Sequence, residues 1–279
     1  MKKKLNHKSL CAYMSYLSEN EKAAATITKY RHDVDVFFRW NSETHLSKER
    51  LCEYKAFLKE NFKVSSANSM LISLNGYLKF CGYASWCIKL FRVQKQTFMQ
   101  QEKELTKEEY FRLLNVAGNG SRIQTVMETV ATTGIRVSEL PYITMEAVSC
   151  GHASICNKGK ERTVLLSSKL CKMLKRYAKR NGIRRGSIFI TRTGKPLDRS
   201  NIWSSMKALC REAGVNPEKV FPHNLRHLFA RAFYAVKKDI ARLADLLGHS
   251  RIETTRLYIL SSGKEHIRQI EKLDLLLTT

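Results

Sequence analysis

From residue 9 to residue 82 the apolar side chains return every three or four positions, in four separate runs. That is the period of a helix buried along one face, not the alternation of a half-buried strand. "ATITKYRHDVDVFFRW" places Ile27, Tyr30, Val34, Phe37 and Phe38 on one side. "SKERLCEYKAFLKENF" opens on Ser47, a good helix cap, and carries Leu51, Tyr54, Phe57 and Leu58. "SSANSMLISLNGYLKFCGY" carries Met70, Leu71, Leu74, Leu78 and Phe80 and stops near Gly82. With the shorter amphipathic "SLCAYMSYLSEN", these runs predict a compact bundle of four helices.

The pattern then breaks. Arg92 to Glu104 is polar and unperiodic, which predicts a linker and a domain boundary near residue 100. Helical structure resumes after Leu105, where Thr106 and Glu109 form a capping box and Leu105 is placed for a hydrophobic staple. The second part is mixed. "SRIQTVMETVATTG" predicts a helix ending at Gly134, and "HASICNKGKERTVLL" two short strands around a glycine-containing turn. "SSKLCKMLKRYAKRNG" predicts a helix with a basic face, and "SIFITRTGKPLDRSN" a short strand, a turn and the capped start of "IWSSMKALCREAG". "HNLRHLFARAFYAV" and "DIARLADLLG" predict two further helices. The fold class is therefore mainly α with a small β-sheet, with domains at 1–100 and 101–279.

Charge narrows the partners. The 279 residues hold 49 Lys and Arg against 25 Asp and Glu, a formal net charge of +24. Such a surplus repels itself in the compact state unless a polyanion supplies the counter-charge. Nucleic acid is the first candidate and an anionic membrane surface the second. No run approaches the ~20 apolar residues of a membrane span. "MKKKLNHKSL" lacks the apolar stretch of a secretory leader. The eight cysteines form no C-x-x-C pair, which argues against a zinc knuckle and fits a reducing cytosol. No phosphate-binding G-x-x-x-x-G-K-[ST] loop is present.

Four clusters in the second part hold chemistry-bearing residues, each with a plain structural reading beside the functional one. In "TGIRVSEL", Arg136 begins a turn just after Gly134, where an anion would be favoured, and Glu139 could hold the guanidinium as an ordinary ion pair. Lys158 and Lys160 lie in the hairpin turn, where most lysines are merely solvated. In "HNLRH", His223, Arg226 and His227 share one helical face after Pro222. Arginine suits phosphate neutralisation and histidine proton transfer. The same spacing resembles a zinc helix, but Asn224 stands where the glutamate would be and no third ligand is near. In "LLGHSRIETTRLY", His249 follows a helix-stopping Gly248, and Tyr258 taken alone reads as core.

Taken in order, "TGIRVSEL", the hairpin lysine, "HNLRH", "LLGHS" and the tyrosine of "TTRLY" resemble the tyrosine recombinases, or phage-type integrases, over roughly Leu105 to Leu260. The resemblance is to the simple two-domain bacterial and mobile-element branch. It implies a site-specific DNA recombinase that cuts and rejoins strands through a 3′-phosphotyrosyl intermediate and a Holliday junction. Arg136 and Arg226 would clamp the scissile phosphate, and Lys158 would protonate the leaving 5′ oxygen. His223 would assist proton transfer, His249 would hydrogen-bond the phosphate and Tyr258 would be the nucleophile. "NKGKER" is one residue shorter than the usual G-K-G-x-K-x-R form, which leaves Lys158 and Lys160 both open as the acid. No metal and no ATP would be needed. Residues 1–100 would be a core-binding domain that, with the catalytic domain, forms a C-shaped clamp on double-stranded DNA. Basic residues of "TKYRHD", "FRVQK" and "RNGIRRG" would lie near phosphates. The tail helix 264–277, with Ile267, Ile270, Leu273 and Leu277 in one stripe, would dock on its own domain or on a neighbour in a tetramer. A specific recombination site, a possible accessory directionality factor and the bacterial cytoplasm complete the expectation. The alternatives are a catalytically silent DNA-binding protein and a type IB topoisomerase-like relaxer.

Overall fold

A computed structural model describes residues 5–41, 46–92, 104–157, 160–191 and 193–259. The chain divides into two compact units, Met1–Lys95 and Gln96–Thr279. Three sequence expectations fall outside the described residues: Lys158, most of the 92–104 linker and the tail helix 264–277.

The N-terminal unit contains the four helices its apolar runs predict: α1 (His7–Glu19), α2 (Ala24–Trp40), α3 (Lys48–Asn61) and α4 (Val64–Phe80). Asn6 and Ser47 cap α1 and α3 by accepting from backbone amides of the first turn. One apolar core joins the four: Leu10 and Tyr13, Val34 and Phe37, Leu51 and Tyr54, Leu71 and Tyr77 are all buried within it. Several of its buried polar groups are paired, although the Tyr54 hydroxyl has no partner. Ser73 donates to Asp33 at 2.6 Å, and the hydroxyls of Ser9 and Tyr77 lie 2.6 Å apart. Past the bundle, two asparagines seven residues apart on α4 hold the departing chain. Asn75 bonds both backbone groups of Ile88, and Asn68 both of Phe91. The chain just before the unperiodic segment is thus fastened to the bundle.

The C-terminal unit starts where the capping box predicts. Thr106 accepts from the Glu109 amide and Glu109 from the Thr106 amide, opening α5 (Lys107–Ala117). There follow α6 (Arg122–Thr133), a 3₁₀ segment Val137–Tyr142, α7 (Met145–Cys150), and the antiparallel strands β1 (His152–Asn157) and β2 (Lys160–Leu165). Pairing of Asn157 with Lys160 leaves two residues between the strands. Then come α8 (Ser168–Arg180), α9 (Arg199–Ala208), α10 (Cys210–Ala213), α11 (Pro222–Lys237), α12 (Ile240–Leu247) and α13 (Ile252–Ile259). α6 and α11 pack together at the centre, and α13 lies against α11 and α12.

Two local expectations need correction. "SIFI" is not a strand: Ser187 and Ile190 make only isolated bridges, to Thr144 and Pro196. The single helix expected over "IWSSMKALCREAG" is two, because α9 ends at Ala208 and α10 begins at Cys210. Asp198 caps α9 through Ser200 and Asn201, as its position predicts. Among the described residues, no helix is long and apolar enough to cross a membrane.

Candidate active site

The ends of three helices converge on one side chain. α6 ends at Gly134 in a left-handed conformation (φ 67°), and α12 ends at Gly248 in another (φ 66°). A side chain at Gly134 would meet Phe229 and Leu247, so glycine serves both the backbone angle and the close approach. α11 begins at Pro222, whose fixed φ and missing amide suit a first helical position. One turn in, Arg226 is completely buried. Its Nη1 donates to the Gly134 carbonyl at 2.6 Å and its Nη2 to the Leu247 carbonyl at 2.7 Å. Both carbonyls sit at helix C-terminal ends, where the dipole favours a cation. Nη2 also lies 2.9 Å from Nε2 of His249, while Nε has no partner. Burial, and then the charge of Arg136, lower the Arg226 pKa to about 10, so it remains a cation at neutral pH.

Arg136 is the cap residue of the 3₁₀ segment. Its backbone amide donates to Glu139 Oε2 (2.8 Å) and its Nη1 to Oε1 (3.0 Å). The ion pair with Glu139 is present, and the Arg136 side chain also lines an open pocket. Glu139 is 1% exposed and its Oε2 also accepts from Arg162 Nη2 at 2.6 Å. Burial pushes the Glu139 carboxyl upward, but the Arg136 amide and the two guanidiniums win and hold it below the usual range. Arg162 continues to the Leu246 carbonyl through Nη1 (2.6 Å), tying β2 to the end of α12.

Tyr258 brings the third group. It is 6% exposed, which satisfies its reading as core, yet its hydroxyl is 3.1 Å from His223 Nε2. Its ring stacks on His227 at 4.1 Å and lies 5.1 Å from the His249 ring, with the Arg226 Cζ 5.9 Å from its centre. An exposed edge of His223 joins Arg136, Ser138, Arg199 and Arg226 in lining one open pocket.

Burial first, then neighbouring charged groups, lowers the pKa of each of the three site histidines. His227 falls to about 3, with His223 and Arg231 the next causes, and His249 to about 4, with Arg226 and Arg136 next. His223 is lowered by burial, Arg226, Arg136 and Arg199. Among the described residues, no group of three or more His, Cys, Asp or Glu could hold a metal ion.

Five of the six expected residues therefore meet: Arg136, His223, Arg226, His249 and Tyr258. Lys158 lies outside the described residues. The sequence reading missed Arg162, Arg199, Thr255 and the stacking role of His227. A signal for Arg162 existed: it pairs with buried Ile155 and shares the face of buried Val164. An arginine on the core row of a strand implies a buried carboxylate.

Known proteins resemble this chain in both sequence and fold. The sequence profile of the phage integrase family matches residues 103–265, and that of its N-terminal SAM-like domain residues 10–82. The tyrosine recombinase XerA of Pyrococcus horikoshii is 27% identical over 98% of this chain and 96% of its own. The tyrosine recombinase XerD of Staphylococcus saprophyticus is 36% identical over 54% of each chain. Two solved structures share the fold. XerH site-specific recombinase bound to a palindromic difH substrate gives a TM-score of 0.71 at 17% identity, covering 92% of this chain and 84% of that one. A lambda integrase tetramer bound to a Holliday junction gives 0.71 at 17%, covering 91% and 76%. The chain belongs to the phage integrase family. It is an enzyme of the tyrosine class within it, and its activity is site-specific DNA recombination.

Proposed function

We propose that Tyr258 is the nucleophile of a strand-transfer reaction at a phosphodiester held in the Arg136–Arg226 pocket. The observation that carries this reading is the Tyr258 hydroxyl 3.1 Å from His223 Nε2, beside the buried guanidinium of Arg226. A phosphodiester is anionic and repels a nucleophile. Two guanidiniums offset that charge and favour the more highly charged transition state. A phenol is mostly protonated at neutral pH and needs a base. His223 Nε2 takes its proton as the phenolic oxygen attacks phosphorus. The bond from phosphorus to the 5′ oxygen breaks, and the Lys158 ammonium gives that oxygen its proton. His249 hydrogen-bonds a non-bridging phosphate oxygen. The product is a 3′-phosphotyrosyl link and a free 5′ hydroxyl.

A 5′ hydroxyl from a partner strand reverses these steps and joins to new DNA. The phosphotyrosyl bond conserves the energy of the broken one, so the exchange consumes no ATP. Exchange between two duplexes passes through a Holliday junction and requires four active sites, which supports a tetramer on double-stranded DNA carrying a specific site. The N-terminal bundle contributes DNA binding as the core-binding domain, and the reaction takes place in the cytoplasm. An accessory directionality factor would bias the direction of exchange.

The test is covalent capture. Wild type and Tyr258→Phe are expressed in cells, denatured and recovered stringently, and the attached DNA is sequenced. The expected result is wild-type adducts clustered at one short sequence and none from the variant. Adducts scattered without preference would point to a topoisomerase-like relaxer, and equal adducts from both proteins would displace Tyr258.

A further inference from the structure

Thr255 lies one turn before Tyr258 on α13 and is fully buried. Its Oγ1 is 3.0 Å from His249 Nδ1. Across the ring, Arg226 Nη2 is 2.9 Å from His249 Nε2. A guanidinium has only protons to offer, so Nε2 must supply its lone pair. The one proton of the neutral ring then sits on Nδ1, and Thr255 Oγ1 accepts it. Burial first, then the surrounding charges, disfavours the charged ring: Arg226 and His223 face it from α11, Arg136 from the start of the 3₁₀ segment and Arg162 from β2. The Tyr258 ring packs on it from α13.

We propose that Thr255 is a positioning residue for the reaction, fixing the tautomer and ring angle of His249 so that Nε2 points at Arg226 and the phosphate pocket. The consequence for catalysis rests on the function proposed above. Phosphate in the pocket adds negative charge beside Nε2. That nitrogen then gives up the Arg226 hydrogen bond, takes a proton from a buffer acid whose conjugate base stays in solvent, and donates to a phosphate oxygen, while Nδ1–H stays on Thr255. One acceptor thus serves both states without moving the ring. Because Thr255 and Tyr258 share a helix, the same bond also ties the nucleophile's helix to the Arg226 centre.

The test begins without DNA. ¹⁵N NMR of the histidine side chains in the full chain at neutral pH should show the His249 proton on Nδ1. Thr255→Val keeps the shape but removes the acceptor, and should shift His249 toward the Nε2–H form. On a DNA duplex containing the captured site, it should slow single-turnover cleavage about tenfold, the scale of one lost hydrogen bond. DNA affinity should stay within about twofold. Thr255→Ser restores the oxygen and should recover both the wild-type spectrum and a rate within about threefold. A wild-type His249 carrying its proton on Nε2 overturns the proposal, and that spectrum decides it even if the valine variant does not fold. A valine variant that loses thermal stability but keeps the wild-type tautomer overturns it as well. Failure of wild-type protein to cleave any DNA would strike the proposed function, and the spectrum would still decide the placement of Thr255.

Discussion

Both units have an apolar core, but the C-terminal one also buries a charged centre. In the N-terminal unit the interior is aromatic and aliphatic, with Phe37 packed edge-on against Tyr54 at 4.9 Å. Its buried acid, Asp33, is held by Ser73 and by Lys29 from the helix rim. Among the described residues of the C-terminal unit the largest fully buried side chain is Arg226, a cation bonded to two helix-end carbonyls rather than to a carboxylate. Glu139 nearby is shared by two arginines. The first interior stabilises by removing apolar area from water. The second does the same around Leu113, Val130 and Phe189, but its charged centre costs desolvation, which polar partners offset, and gathers positive charge. Equal burial therefore means different things in the two units, and substitutions should separate them.

The largest effects should be on stability, from different causes. Phe37→Ala should cost about 3–5 kcal/mol through lost packing and a cavity. Amide hydrogen exchange should show that loss across α1–α4. Glu139→Gln should cost about 3–5 kcal/mol by leaving Arg136 and Arg162 without their carboxylate. Exchange should then rise around the 3₁₀ segment and the hairpin, not in the bundle. If both variants loosen the same residues, the contrast between the units is wrong.

Arg226→Lys sharpens the comparison at the site. An ammonium is a compact point charge and cannot span the Gly134 and Leu247 carbonyls as the planar fork does. Single-turnover cleavage should fall about 100- to 1,000-fold, the scale of losing one oriented electrostatic donor. Circular dichroism should keep the wild-type helical signal. An active lysine variant would show that charge alone suffices.

The smallest effect is on pH dependence. His227 and His249, near 3 and 4, sit below the ordinary histidine value of 6.5, and His223 is also lowered. Between those values the unfolded chain binds more protons than the folded one, so stability falls as pH drops from about 7 toward 4. All three histidines lie in the C-terminal unit. Exchange protection in that unit should weaken on acidification before that of the bundle does. The reverse order would contradict the burial of neutral imidazoles.

The same contrast explains what the sequence could reveal. Helices α1 to α4 were legible because each signals itself locally, by a 3.6-residue apolar period and by caps such as Ser47. Gly134, Gly248 and the Thr106–Glu109 box were legible for the same reason. The ordered motifs exposed Arg136, His223, Arg226, His249 and Tyr258 once taken together. What stayed hidden depends on distant partners. Arg162 gains its place from Leu246, 84 residues on, and from Glu139. Thr255 gains its meaning from His249, whose ring lies between it and Arg226 on another helix. The break between α9 and α10 and the bridges at Ser187 and Ile190 likewise depend on packing rather than on local pattern.

The central claim is that the tyrosine beside the buried arginine makes the covalent bond to DNA. The most direct measurement is mass spectrometry of the covalent adduct after nuclease digestion. The account predicts a nucleotide remnant on the peptide containing Tyr258 and on no other. A remnant on a different side chain, with Tyr258 unmodified, would contradict it.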